Sequence, residues 1–338
     1  AAAAAILALY VATLGPTTAF WDTPEYIAAA KVLGIPHPPG NPLFVVAAHV
    51  WGLIPLAASY AVRINLFAAV TSALSAGLWF LVAERWLRTI VPHRTPRLLA
   101  AFAGVLVGAT SWTVWNQSTV NEKVYTLSLL STAAVMWLGV HWGDDRPGKH
   151  RDRWLILIAY IITLSSTNHM MGVLAAPAVG IYVLWTDWRE AFRPWVLLLA
   201  WLTMIAVSGL WTSAVPVGGA IPGTGIAVLL VTVGLFAWSV ARDPRSETPW
   251  LALLAIVVGI SLNYVFLPMR AGQFPPINEG EPTTWQALLD VLNRVQYGKP
   301  SVTERQADFV AQLLNYGQYF SWQFARDWGR IAVVAMTV

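Results

Sequence analysis

Apolar stretches of 15 to 23 residues recur along this chain of 338 residues, separated by short charged or proline-rich loops. They fall at residues 1–19, 61–83, 98–115, 124–142, 154–168, 169–185, 195–214, 224–241 and 249–269, and another begins near 329. A helix needs about 20 apolar residues to cross a hydrocarbon core of roughly 30 Å, and several of these stretches run short. Composition removes the soluble alternative. Hydrophobic residues make up 57% and charged residues 11%, against roughly 25% charged in a soluble domain. So few charges cannot cover a water-facing surface. The expected fold is all-α, a polytopic membrane protein with about ten transmembrane helices.

The 19 tryptophans suit the membrane–water boundary. With no cysteine, disulfides, thiolate metal sites and cysteine nucleophiles are excluded. No basic tract or repeat points to nucleic acid as a partner. Five opening alanines and an apolar run from Ala332 to Val338 suggest a fragment whose C-terminal part is missing. The whole of 1–338 is expected to form one transmembrane domain, with a first outer loop at 20–60 and a last one at 270–328.

Residues 43–58 decide the topology. The apolar run Leu43–Ile54 lies between Pro42 and Pro55 and gives only about 18 Å of helix, which suits an interfacial helix better than a span. If it does not cross, the loops at 84–97, 143–153, 186–194 and 242–248 share one side. They carry Arg85, Arg88, Arg94, Arg97, Arg146, Lys149, Arg151, Arg153, Arg189, Arg193, Arg242 and Arg245. The short loops opposite carry Lys31 and Lys123. Twelve basic residues against two make the first side cytoplasmic. A crossing at 43–58 would reverse the bias. The polar knot Ser165–His169 then becomes a turn at the opposite surface.

Acidic and polar signals gather outside. The first outer loop holds Asp22, Glu25 and the turn Ile35-Pro36-His37-Pro38-Pro39-Gly40-Asn41-Pro42. The second holds Asn121, Glu122 and Tyr125, and the last opens on Arg270 and Phe274–Pro282. Each has a plain reading and a chemical one. Asp22-Thr23-Pro24-Glu25 has the spacing of a capping box with proline in the first turn. A carboxylate there can also serve as general base toward a hydroxyl. The prolines around His37 make a rigid connector, or a rigid mount holding His37 near a substrate. Glu122 follows residues able to cap a helix, or faces the site. Arg270 either snorkels or meets a phosphate. Asn168 and His169 read as a structural pair rather than metal ligands, and no clustered ligand set suggests a metal.

No Asp, Glu or Lys falls in the middle of a span, which disfavours a secondary transporter. A non-catalytic subunit of a larger membrane complex stays open as another alternative, although such a subunit has no need to gather polar groups from distant loops.

The segments Phe20-Trp21-Asp22-Thr23-Pro24-Glu25-Tyr26-Ile27 and Leu33-Gly34-Ile35-Pro36-His37-Pro38-Pro39-Gly40-Asn41-Pro42-Leu43 resemble the opening of a known family. It comprises bacterial relatives of the eukaryotic transmembrane O-mannosyltransferases of plexin-type receptor domains, within the GT-C membrane glycosyltransferases. Asn168-His169, Leu267-Pro268-Met269-Arg270-Ala271, Pro275-Pro276-Ile277-Asn278, Gly280, Pro282 and Gln296-Tyr297-Gly298 resemble the same branch. The similarity runs along nearly the whole chain. It implies an inverting enzyme of the bacterial inner membrane with its site outside the cytoplasm. Such an enzyme takes a sugar, mannose or a similar hexose, from a polyprenyl phosphate to a hydroxyl on an extracytoplasmic protein or glycan. No cofactor is implied beyond that lipid-linked sugar.

The resemblance puts Asp22 in the role of the first-loop acidic residue, with Glu25 and Glu122 as further catalytic candidates. It puts Arg270, His37, Tyr125, His169 and Asn278 around the donor, and makes 43–58 a helix lying on the membrane. Two departures stand out: Asp22 and Glu25 are not adjacent, and Glu279 occupies a place where an aromatic residue is expected. Relatives are longer, with a soluble C-terminal region not present here.

Overall fold

The computed structural model describes residues 1–19, 21–120, 124–145, 151–216, 219–298 and 305–324. Among them every regular element is a helix. The N-terminal part contains α1 (Ala2–Ala12), α2 (Thr23–Val32), α3 (Pro42–Gly52), α4 (Tyr60–Leu87), α5 (Arg94–Thr110) and α6 (Trp112–Thr119). The middle contains α7 (Val124–Asp144), α8 (Arg151–Ser166), α9 (Ala175–Thr186), α10 (Trp188–Ala191) and α11 (Pro194–Ser208). The last part contains α12 (Gly223–Arg242), α13 (Thr248–Ser261), α14 (Leu267–Ala271), α15 (Trp285–Leu292) and α16 (Phe309–Trp322).

Four helices are long and apolar enough to cross a membrane: α4, α7, α12, and the 24-residue run Thr248–Ala271 that joins α13 to α14 through a π-helical turn. A fifth span results if α5 and α6 count as one, although they bend by 69°. The break comes at Ser111, whose ψ of 141° leaves the helical region. The other expected spans inside the described residues are helices too, but α1, α8, α9 and α11 have only 11 to 16 residues. The span expected from about 329 lies outside the described residues. Among the described residues the structure thus gives an all-helical membrane protein with four or five helices of spanning length.

Helix α4 is the central post, packed mainly against α7 and α1. Its buried face carries Asn65, Ala69, Ser72, Ala73 and Ala76 at helical spacing, and such small residues let neighbouring backbones approach. Hydroxyl pairs join the helices directly: Thr71 donates to Thr126 at 2.9 Å and Ser118 to Ser72 at 2.8 Å. A second core gathers Trp142 of α7, Ile158 of α8, Leu198 and Leu202 of α11 and Ile256 of α13.

Ion pairs join several of the charged helix ends. Arg85 donates to Asp144 at 2.7 Å, Arg97 to Glu84 at 2.8 Å, and Arg151 to Asp187 at 3.1 Å. The first ties the end of α4 to the end of α7, the second closes the turn between α4 and α5, and the third ties the start of α8 to the α9–α10 corner. Helix α3 has 11 residues, about 16 Å, too short to cross. Its buried Phe44, Val45 and Ala48 face α2 and α4, while Val50, Leu53 and Ile54 are exposed.

Candidate active site

The site grows from the two ends of α2. Asp22 stands at the N-cap and Glu25 in the first turn. Trp21, just before, has a φ of 71° and is 80% exposed. Leu33 ends the helix in a left-handed conformation, and the Gly34 N–H bonds back to Ala29 O at 2.8 Å. The chain then reverses. Ile35 N–H donates to Ile277 O at 2.8 Å and Glu279 N–H to Ile35 O at 3.0 Å, forming a short parallel bridge. The segment from 33 to 37 therefore runs back along α2 and brings His37 onto its first turn.

Glycine is needed at this reversal. A Cβ on Gly34 would stand 2.8 Å from Ile277 Cβ and 2.9 Å from Ile277 O. Gly34→Ala is expected to force the bridge apart, costing about 1–3 kcal/mol. Thermal unfolding in detergent measures it, and an unchanged midpoint would mean that the bridge gives way freely.

Two carboxylates surround His37. Its backbone N–H donates to Glu25 Oε1 at 2.7 Å, and its Nδ1 pairs with Glu25 Oε2 at 2.7 Å. Nε2 faces Asp22 Oδ2 at 3.8 Å and the Tyr26 hydroxyl at 3.3 Å. The capping box does not form: the Asp22 side chain caps no backbone N–H, and Glu25 spends both oxygens on His37. Asp22 is the most open of the three, with 38% of its side chain exposed.

Burial pushes the Glu25 carboxyl up, but the bonds from His37 outweigh it and hold Glu25 below its ordinary value. The bond to Glu25 raises His37, burial opposes this, and Asp22 and Glu279 add to the rise. His37 thus favours the imidazolium, a positive charge among three carboxylates. Among the described residues, Asp22, Glu25 and His37 also form the one trio of His, Asp or Glu close enough to share a metal ion, their ligand atoms within 4.8 Å of one another.

A polar chain leads inward. The Tyr26 hydroxyl donates to Asn41 Oδ1 at 3.1 Å, Asn41 donates to Asn168 O, and Asn168 donates to Val124 O and Ser128 Oγ, both at 2.8 Å. The Asn168–His169 corner is thereby fastened to the loop between α2 and α3. His169 Nδ1 accepts from the Met171 N–H at 3.1 Å, and its ring meets Tyr125 edge to face at 4.8 Å. Tyr125 and His169 thus form a pair of their own, joined to the His37 cluster through Asn168.

Asn278 lies on the parallel bridge. Its Nδ2 donates to Ala271 O at 3.3 Å, and its buried Oδ1 has no hydrogen-bond partner among the described residues. Arg270 is not brought to the cluster: it donates to Val32 O at 2.8 Å, Leu33 O at 2.7 Å and Gln273 Oε1 at 2.7 Å. Those first two carbonyls close the far end of α2. Glu122 lies outside the described residues. Tyr26 and Asn41, which the residue pattern alone did not single out, link the cluster to the helices. Their signal was modest: a tyrosine within the first helix of the loop and an asparagine inside the proline turn.

No solved structure matches the chain. The protein O-mannosyl-transferase TMEM260 of Mus musculus is 28% identical over 211 residues, which is 61% of this chain and 28% of that protein. The chain therefore spans little more than a quarter of the relative's length. The family model of the protein O-mannosyl-transferase TMEM260 N-terminal domain matches residues 22–192. That match starts at Asp22 itself and takes in Glu25, His37, Tyr125 and His169 in one continuous stretch. With half of the chain matched, this protein belongs to the family of the protein O-mannosyl-transferase TMEM260 N-terminal domain.

Proposed function

We propose that the chain is the membrane domain of a GT-C-type inverting glycosyltransferase of O-mannosylation. It moves mannose or a similar hexose from a polyprenyl phosphate to a Ser or Thr hydroxyl of an extracytoplasmic protein. The observation that carries this reading is Asp22: a half-open carboxylate, committed to no cap, facing a histidine that Glu25 braces on two atoms. Asp22 takes the proton of the acceptor hydroxyl as its oxygen bonds to the anomeric carbon. The bond from that carbon to the phosphate oxygen breaks, and polyprenyl phosphate leaves with the electron pair. A single displacement inverts the anomeric centre. His37, fixed by Glu25, orients Asp22 and the acceptor.

Neither cofactor nor metal takes part in this scheme, in which the positive charge among the carboxylates is that of His37 when protonated. About ten spans, counting the shorter apolar helices, would surround the site in a bacterial inner membrane. The test is direct. Reconstituted protein with mannosyl-phosphoryl-undecaprenol and a Ser/Thr peptide should add one hexose to the peptide by mass spectrometry, and equally after chelation. Transfer that vanishes on chelation and returns with a divalent ion would move the Asp22–Glu25–His37 trio to metal binding.

Orientation has its own test. Because the chain lacks cysteine, Arg88→Cys supplies a single label. An impermeant thiol reagent should leave it untouched in intact cells and modify it after permeabilisation. Labelling in intact cells would invert the arrangement.

A further inference from the structure

The reaction proposed above needs a cation at the donor's phosphate, and its place can be derived. A base within hydrogen-bond reach of a hydroxyl, which in turn lies about 3 Å from the anomeric carbon, has the phosphate within about 8 Å. Arg270 is too far for this. Its guanidinium is held on the carbonyls of Val32 and Leu33, at the opposite end of the ten-residue α2 from Asp22, roughly 15 Å away. It serves as a clamp on that helix end.

Another arginine reaches the loop that carries His37. Arg294 Nε donates to Pro38 O at 3.4 Å, one residue from His37. Beyond this bond and the Tyr297 ring, 5.7 Å from its guanidinium carbon, the Arg294 side chain has no hydrogen bond or ion pair with a described residue. The Nη donors stay open. The placement is anchored: Leu288 of α15 packs with Ile35 and Leu267 in one buried cluster, so α15 is fastened to the return segment that delivers His37. Just past α15, Arg294 turns into the left-handed region at φ 56°, its N–H held by Val291 O at 3.1 Å. That conformation is uncommon for a residue other than glycine. Next to it, Val295 is 59% exposed, an apolar neighbour fit for a prenyl chain.

We propose that Arg294 forms the phosphate subsite, its guanidinium fork holding the phosphate of the polyprenyl-linked donor and then of the polyprenyl phosphate that leaves. This rests on the glycosyltransferase reading, yet its test does not require turnover. Undecaprenyl phosphate without sugar is titrated against the full chain in nanodiscs, with inorganic phosphate as a second probe. Arg294→Gln should weaken undecaprenyl phosphate binding about tenfold or more, and Arg294→Lys should restore part of it. Arg270→Gln should leave that affinity within about threefold while lowering the unfolding midpoint. Wild-type affinity in Arg294→Gln would overturn the assignment, as would a tenfold loss confined to Arg270→Gln. Competition by inorganic phosphate at equal concentration would also overturn it, because the site would then not read a lipid-linked phosphate. Should Arg294→Gln unfold, the Lys variant decides: intermediate affinity at an unchanged midpoint supports the subsite, and unchanged affinity sinks it. Lipid binding that depends on Arg294 in a protein that transfers no sugar would remove the proposed reaction and keep the subsite.

Discussion

Asp22→Asn is expected to lower sugar transfer 10²–10⁴-fold, the usual span for loss of a general base, with fold and donor binding intact. Asparagine is nearly isosteric with aspartate but cannot take a proton from an attacking hydroxyl. The stability side is set by geometry: the Asp22 side chain caps no backbone N–H, and 38% of it is open to solvent. A partly open site without a buried partner gives changes of about 0.5 kcal/mol or less. A helix cap would give the opposite pattern, with a lower unfolding midpoint and near-normal transfer. The measurements are transfer by reconstituted protein, undecaprenyl phosphate binding in nanodiscs, and thermal unfolding in one detergent. Near-wild-type transfer would strip Asp22 of the catalytic role and hand it to His37 or Glu122.

The contrast between those outcomes shows where a sequence stops being informative. Asp22 and Glu25 at i and i+3 suit a capping box and a catalytic cluster equally, because both need a carboxylate at the start of a helix. What separates them is His37, twelve residues beyond Glu25. Its return depends on a left-handed Leu33, on Gly34, and on a bridge to residues 277–279. None of these can be read from local spacing. Helix length was easier, since rise per residue converts directly to reach. The 11 residues of α3 were too few to cross, as expected, yet the same arithmetic leaves only four or five helices of spanning length.

The arginines teach a similar lesson. Knowing that Arg270 shares a membrane side with Asp22 does not say at which end of α2 it lands. Arg294 carried no local signal, sitting in a segment after α14 too long for a count of basic residues to weigh.

Glu25→Gln probes the cluster through its pH dependence. In the wild type, the bond to Glu25 is the largest cause raising His37 above its ordinary value of 6.5. Glu25 itself is held below its ordinary 4.5 by His37. The pair is therefore fully ionised between the lowered Glu25 value and the raised His37 value. Its contribution to stability fades as pH falls through the first or rises through the second. Transfer that uses protonated His37 beside Asp22 should decline as pH rises through the raised His37 value and the imidazolium is lost. Glutamine keeps an oxygen for the His37 backbone N–H but removes the charge, so burial now acts on His37 with less opposition. The alkaline decline should move toward acid, with transfer at pH 7.5 reduced severalfold. The competing arrangement, in which His37 is the base and Glu25 its orienting carboxylate, reverses the signs. Wild-type transfer would then climb with pH through the His37 value, and Glu25→Gln would be relatively more active under mildly acidic conditions, because its imidazole loses the proton sooner. Rate profiles of both proteins across that range separate the two, since a group that must be charged and a group that must be neutral produce opposite slopes at the same titration.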